Sequence, residues 1–230
     1  FQASTISALL DGAYDGDLTL AELSEHGDLG LGTLNGLDGE MIVLDGSFYR
    51  AAVDGRVAEV APEARTPFAV VTEFAPTIEA EIGGPLSHEG LLAALDGLVP
   101  EGTASCAIRL DGRFESVRAR SVPRQHPPYR PLAEVVADQR EFDLDGVAGT
   151  MVGFRFPSYA EGIEVGGFHL HFIDADRRRG GHVLDSRLAE ATARLDPSND
   201  LHIELPPEVD LASPELAAGT HAAIELVERG

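Results

Sequence analysis

The chain has 230 residues, 43% of them hydrophobic and 24% charged, a balance that builds a packed core rather than a disordered chain. Acidic residues outnumber basic ones by 39 to 17, the formal net charge is −22, and every basic residue is an arginine. Such a charge repels phosphate backbones and anionic lipid surfaces, which argues against nucleic-acid and membrane partners, and no apolar run approaches the roughly 20 residues needed to span a bilayer.

Thr19-Leu20-Ala21-Glu22 has the spacing of a capping box and Gly27 is a suitable stop, so residues 20–26 read as a short helix. Apolar runs follow at 29–37, 41–44 and 48–53, separated by Asp38-Gly39, Asp45-Gly46 and Asp54-Gly55. Repeated Asp-Gly between short apolar runs predicts a meander of strands, which residues 68–74 continue. Residues 87–98 read as a helix, with Ser87 as cap, Leu91, Leu92, Leu95 and Leu98 on one side, and Pro100 as stop. Residues 104–120 alternate about Asp111-Gly112, a second hairpin signal.

The single cysteine, Cys106, falls in that alternation with Ile108 and Leu110; it reads as a buried structural thiol, and no internal disulfide is possible. The Pro-rich stretch 122–131 reads as an interdomain connection, followed by a short helix from Pro131 to Arg140. Strands return over 142–205, and the tail at 213–228 is predicted helical. Gly32-Thr33-Leu34-Asn35-Gly36 and Gly149-Thr150-Met151-Val152-Gly153 form a weak internal echo. The expectation is an α/β (α+β) fold of two domains, 1–125 and 126–230, strand-rich, with mixed and antiparallel sheets and a few short helices.

The segment Gly166 to Ser186 carries three of the eight histidines. In a strand, His169 and His171 share one face while Phe168, Leu170 and Phe172 share the other, which is apolar. A turn centred near Arg177 returns the chain so that His182 lies about opposite His171, with Cβ atoms roughly 5 Å apart. Three imidazoles then converge in a tripod that leaves a fourth position open on a tetrahedral ion, the catalytic rather than the structural arrangement for zinc; imidazoles also suit Ni, Cu, Co or Fe. Glu40, opening the apolar run 41–44, and Arg120, closing an alternating run before a proline turn, could serve such a metal, but the pattern alone reads each as a solvated or salt-bridged residue.

Other features carry less. Gly30-Leu31-Gly32-Thr33-Leu34-Asn35-Gly36 fits neither the dinucleotide nor the P-loop spacing, no lysine follows, and close strand packing is expected. His202-Ile203-Glu204 reads as surface alternation, and His26, His88, His126 and His221 as surface or capping residues. Arg177-Arg178-Arg179 reads as a solvated turn, with guarding a pocket mouth for an anionic substrate as its alternative.

The chain resembles the α-acetolactate decarboxylase family. The resemblance runs nearly end to end, through Ser4-Thr5-Ile6, Tyr14-Asp15-Gly16, Gly27-Asp28-Leu29-Gly30-Leu31-Gly32-Thr33, Leu37-Asp38-Gly39-Glu40, Arg120-Ser121-Val122-Pro123 and the histidine segment. It implies a zinc-dependent, homodimeric, two-domain enzyme that converts 2-acetolactate to acetoin and carbon dioxide. It places the zinc ligands on His169, His171 and His182, an essential glutamate on Glu40, an essential arginine on Arg120 and a second glutamate on Glu228, with Glu225 as an adjacent candidate. Thr33 is implied as a pocket-lining residue.

The chemistry suits these groups. Loss of carbon dioxide from a β-keto acid pushes an electron pair toward the ketone, and a metal chelated by the ketone and hydroxyl oxygens is an electron sink. A chain without lysine has no Schiff-base sink to offer. Arg120 is expected to orient the substrate and stabilise the developing oxyanion, and Glu40, with Glu228, to deliver or relay the proton that gives one enantiomer of acetoin. The competing readings are a metal-dependent hydrolase, with a zinc-activated water and Glu40 as base, and a non-catalytic metal or small-acid binding module. A cytoplasmic location is expected, with a secreted form that has lost a signal peptide as the alternative.

Overall fold

The computed structural model describes residues 1–205. The predicted tail helix, with His221, Glu225 and Glu228, lies outside the described residues. The chain starts on β1 (Gln2–Ala3) and enters α1 (Ile6–Leu10), where the Thr5 hydroxyl accepts from Ala8 N at 3.2 Å. A short strand β2 (Leu18–Thr19) leads straight into α2 (Leu20–Leu23). The capping box is formed there: Glu22 N donates to the Thr19 hydroxyl, and Thr19 N donates to the Glu22 carboxylate. The predicted helix to His26 ends as a 3-10 turn over Ser24–His26.

The meander follows as β3 (Leu29–Thr33), β4 (Glu40–Leu44), β5 (Ser47–Ala51), β6 (Val57–Glu59), β7 (Arg65–Thr66) and β8 (Phe68–Thr72). The predicted run 29–37 breaks after Thr33 because Asn35–Leu37 coils into a 3-10 turn, with Gly36 and Leu37 at φ of 71° and 53°. Asp45 and Gly46, at φ of 53° and 75°, join β4 to β5 with the double positive-φ turn that Asp-Gly favours.

Residues 73–77 carry the chain into β9 (Ile78–Ser87), α3 (His88–Asp96), β10 (Ser105–Ser121), α4 (Leu132–Val136), β11 (Arg140–Phe156), β12 (Gly167–Asp174), β13 (Gly180–Ser198) and β14 (Ile203–Glu204). One sheet has the order β14-β1-β8-β3-β4-β5-β6, its β1–β14 pair parallel and the rest antiparallel; β2 and β7 form a separate ribbon. The second sheet runs β10-β11-β12-β13-β9, and a further β10–β13 pairing curls it back on itself. The fold is the strand-rich, mixed and antiparallel α/β (α+β) architecture expected. The chain passes from the first sheet to the second at residues 73–77 and returns at 199–202, whereas 122–131 joins two neighbouring strands of the second sheet.

The hairpin expected at Asp111-Gly112 is not formed: β10 runs unbroken, Asp111 pairing with Thr150 and Thr192, and Gly112 with Gly149 and Ala191. The glycine serves close approach instead, since a Cβ there would stand 2.5 Å from Glu190 O and 2.6 Å from the Ala191 side chain. Asp111 is held by charge, its carboxylate accepting from Arg109 Nε at 2.8 Å and Arg194 Nη1 at 3.0 Å. Gly149 likewise sits inside β11 rather than at a helix-to-strand passage, so the internal echo has no structural counterpart. The predicted helix to Arg140 stops at Val136, and Arg140 opens β11.

The sheets pack face to face over a core that joins Leu29, Leu31, Ile42, Leu44 and Phe68 of the first to Val152, Phe154 and Ile173 of the second. The outer face of the second sheet is covered by α3, with Leu91 and Leu95 against Cys106, Ile108, Leu170 and Phe172. The outer face of the first carries Met41, Val43 and Val71 against Leu20 and Leu23 of α2. Cys106 is fully buried, and burial pushes its thiol pKa up to about 11. The native thiol is therefore expected to stay inert to an aromatic disulfide reagent at pH 8 and to react once the protein is unfolded; rapid native labelling contradicts the packing. No helix among the described residues is long and apolar enough to cross a membrane.

Candidate metal centre and active site

The histidine segment folds with the register its sequence predicts. Leu170 and Phe172 of β12 enter the outer core, so the alternation turns His169, His171 and Ile173 toward the layer between the sheets. His171 pairs with His182 across β12 and β13. The three ring centroids lie 5.2, 5.2 and 5.4 Å apart, and one nitrogen from each ring falls within 4.8 Å of the others. All three side chains are buried.

Arg120 stands directly opposite His182, on β10. Glu40 comes from the facing sheet, where it opens β4 and pairs with Thr33 of β3. The β4 alternation that sends Ile42 and Leu44 into the core between the sheets sends Glu40 there too. Arg120 Nη1 donates to Glu40 Oε1 at 3.0 Å, and Glu40 Oε2 lies 3.6 Å from His171 Nε2. The Thr33 hydroxyl donates to Gly39 O at 2.9 Å, which fixes the turn leading into Glu40.

Burial, reinforced by the neighbouring His169 and by the Arg120 charge, holds the His171 pKa well below the usual imidazole value, so the ring is neutral. Its Nδ1 meets Met41 O at 2.8 Å. A carbonyl only accepts, so Nδ1 carries the proton and Nε2 presents a lone pair to the cavity. That buried Nε2 makes no hydrogen bond, and a carboxylate oxygen faces it at 3.6 Å. Two acceptors facing each other in a dry site repel one another, and a cation beside both removes the repulsion. The donor set therefore fits a metal ion: three clustered imidazoles, one of them with its tautomer fixed by a backbone carbonyl.

One cavity is lined by Thr33, Glu40, Arg120 and the three histidines together with the apolar Ile6, Leu9, Leu37, Phe68, Val122 and Leu132. The structure thus assembles every site residue the sequence predicts except Glu228, which lies outside the described residues. It also adds two features the sequence did not signal. One is the apolar wall, contributed by four separate chain segments. The other is Glu164, fully buried, with Oε2 3.9 Å from His169 Nδ1. An isolated glutamate between Ile163 and Val165 in a glycine-bearing loop has no periodic pattern that would single it out.

The features set aside behave mostly as expected. A Cβ on Gly30 would lie 2.1 Å from Val70 O, so the glycine-rich run serves close strand packing. His202 is exposed, and among the described residues the one potential metal cluster is that of His169, His171 and His182. His26 stacks on the Phe1 ring at 3.8 Å. His88 departs from the surface reading: its Nδ1 meets the buried Ser186 hydroxyl at 3.0 Å because α3 packs onto β13. The arginine turn is pinned rather than free, with Arg177 over the Tyr49 ring at 5.7 Å and Arg179 paired to Asp174 at 3.3 Å.

A sequence profile described as alpha-acetolactate decarboxylase matches residues 1–218. The chain belongs to the alpha-acetolactate decarboxylase family. The alpha-acetolactate decarboxylase of Methylococcus capsulatus is 45% identical over 228 residues, spanning 99% of this chain and 88% of that protein. That of Klebsiella aerogenes is 42% identical over 229 residues, with 99% and 88% covered. The crystal structure of alpha-acetolactate decarboxylase from Bacillus subtilis strain 168 superposes with a TM-score of 0.95 at 40% identity, covering 100% of this chain and 98% of that one. By membership in the alpha-acetolactate decarboxylase family, the chain is a carboxy-lyase.

Proposed function

We propose that this protein converts 2-acetolactate to acetoin and carbon dioxide with a zinc ion held by His169, His171 and His182, and that it works as a homodimer. The observation that carries the metal is the buried His171 Nε2 lone pair, turned by Met41 O toward the other two rings and toward Glu40. Bound there, zinc would supply Lewis acidity to the ketone and hydroxyl oxygens of the substrate, as an electron sink.

The chain's own residues do the rest. The apolar wall of Ile6, Leu9, Phe68 and Leu132 receives the two methyl groups of the substrate and excludes water. Arg120, held against Glu40 at 3.0 Å, places its positive charge beside the oxygen on which negative charge develops as the bond to the carboxylate breaks. Binding the departing carboxylate more tightly than the transition state would slow that step, so the arginine is best used on the developing oxyanion. Glu40, ionised beside Arg120 in the resting site, then relays a proton taken from solvent to the carbon that lost carbon dioxide. Delivery from one side of a walled cavity yields one enantiomer of acetoin. Glu228 is proposed as the second carboxyl group of this relay.

The test is acetoin release from racemic acetolactate by metal-stripped protein, before and after one equivalent of zinc. Stripping is expected to lower release to background and zinc to restore it. Zinc uptake without acetoin would leave the metal site standing and turn the reading toward a hydrolase or a binding module. Sedimentation of the loaded protein reads the dimer.

A further inference from the structure

Between β11 and β12 the chain passes through a loop, residues 157–166, that is tied to the N-terminal segment at Gly162 and Ile163. Ile163 O accepts from Ile6 N at 3.0 Å and from Gln2 Nε2 at 2.7 Å; Gly162 O accepts from Ser7 N at 3.2 Å; Glu164 N donates to Ala160 O at 3.0 Å. The loop thereby delivers Glu164 into the interior with 0% exposure. A carboxylate at that depth requires compensation. Its Oε2 accepts from Val165 N at 2.6 Å, its Oε1 makes no hydrogen bond, and among the described residues its one basic neighbour within ion-pair distance is His169, at 3.9 Å.

We propose that Glu164 is a positioning residue of the metal centre: its carboxylate holds the Nδ1 side of His169, leaves Nε2 to face the ion, and has its own charge balanced by that ion through the ring. The proposal rests on the reading that the three rings hold a divalent cation. Met41 O already plays the neutral version of this part for His171, at 2.8 Å. Glu164 adds a full negative charge, which raises the basicity of the imidazole it faces and strengthens the ligand.

The gap of 3.9 Å exceeds a hydrogen bond, and the ligand nitrogens, up to 4.8 Å apart, are also wider than the roughly 3.4 Å that a tetrahedral ion with bonds of about 2.0–2.1 Å sets. Closing both gaps requires His169 to shift toward Glu164 and the other two rings to shift toward the ion. With the ion bound, the Glu164 carboxylate has a counter-charge one imidazole away.

The experiment compares the full chain with Glu164→Gln, whose amide oxygen still accepts from Val165 N. Both proteins are stripped, titrated with zinc against a chelator of known affinity, and melted in the metal-free state. Zinc affinity is expected to fall about 10- to 100-fold in the variant, while the metal-free variant melts no lower than the parent, because a neutral amide replaces the buried carboxylate. Unchanged affinity, with or without a lower metal-free melting temperature, overturns the proposal and leaves the metal reading intact. A parent chain that takes up no zinc overturns both. Nitrogen-15 NMR of the zinc-loaded parent gives a reading that needs no variant. A His169 ring protonated at Nδ1 and metal-bound at Nε2 supports the assignment, and the opposite tautomer overturns it.

Discussion

His171→Ala is expected to abolish acetoin release and to weaken zinc binding by well over 100-fold. His171 is firmly anchored, buried to 1% exposure and pinned through Nδ1 to Met41 O at 2.8 Å. Changing only the outer partner of a ligating histidine costs about 10- to 100-fold in affinity, and removing the ligand itself costs more. The substitution also leaves a void beside Glu40 and removes the bond to the Met41 carbonyl, so some stability is lost as well. Far-ultraviolet circular dichroism together with a zinc titration separates the two effects. A folded variant that binds no zinc supports the tripod, and one that keeps both zinc and turnover sinks it. A variant that binds zinc normally but makes no acetoin moves His171 from ligand to catalytic partner.

Glu40→Gln carries the second large effect. Glutamine is nearly isosteric, and its amide oxygen still accepts from Arg120, so the 3.0 Å contact survives in geometry while the negative charge and the transferable proton are lost. General acid–base groups contribute about 10²- to 10⁴-fold to rate, and a loss of kcat in that range is expected, with zinc still bound because all three imidazoles remain. Removing the charge that faces the buried Arg120 at 3.0 Å lowers stability too, which a denaturant melt reads independently. Any acetoin still formed is expected to lose enantiomeric excess, because protonation then comes from water. Retention of normal kcat removes Glu40 from the proton relay.

What the sequence disclosed was what lies within reach of a few residues. The capping box at Thr19 and Glu22, the Asp45-Gly46 turn and the His171–His182 register are set by neighbours along the chain or across one hairpin, so spacing alone predicts them. Asp111-Gly112 misled for a physical reason. A glycine that allows a turn and a glycine that lets a neighbouring strand come within 2.5 Å look identical in one dimension. The Arg120–Glu40 bond joins residues 80 apart on different sheets, and no pattern of spacing signals it; only the resemblance placed both in the site. Glu164 had neither aid, since its meaning depends wholly on a loop clamped by Gln2, Ile6 and Ser7.

The three imidazoles all stand on β12 and β13, whereas Glu40 and Thr33 stand on β4 and β3 of the opposing sheet. The residues that could hold an ion and those proposed to act on the substrate therefore lie on separate strands, with Arg120 on β10 among the latter. Substitutions along β3, β4 and β10 have room to alter which side of the substrate is protonated, or which molecule is accepted, while the three imidazoles stay in place. Selection for a new product would find its raw material in those strands, and selection for a different metal in β12 and β13.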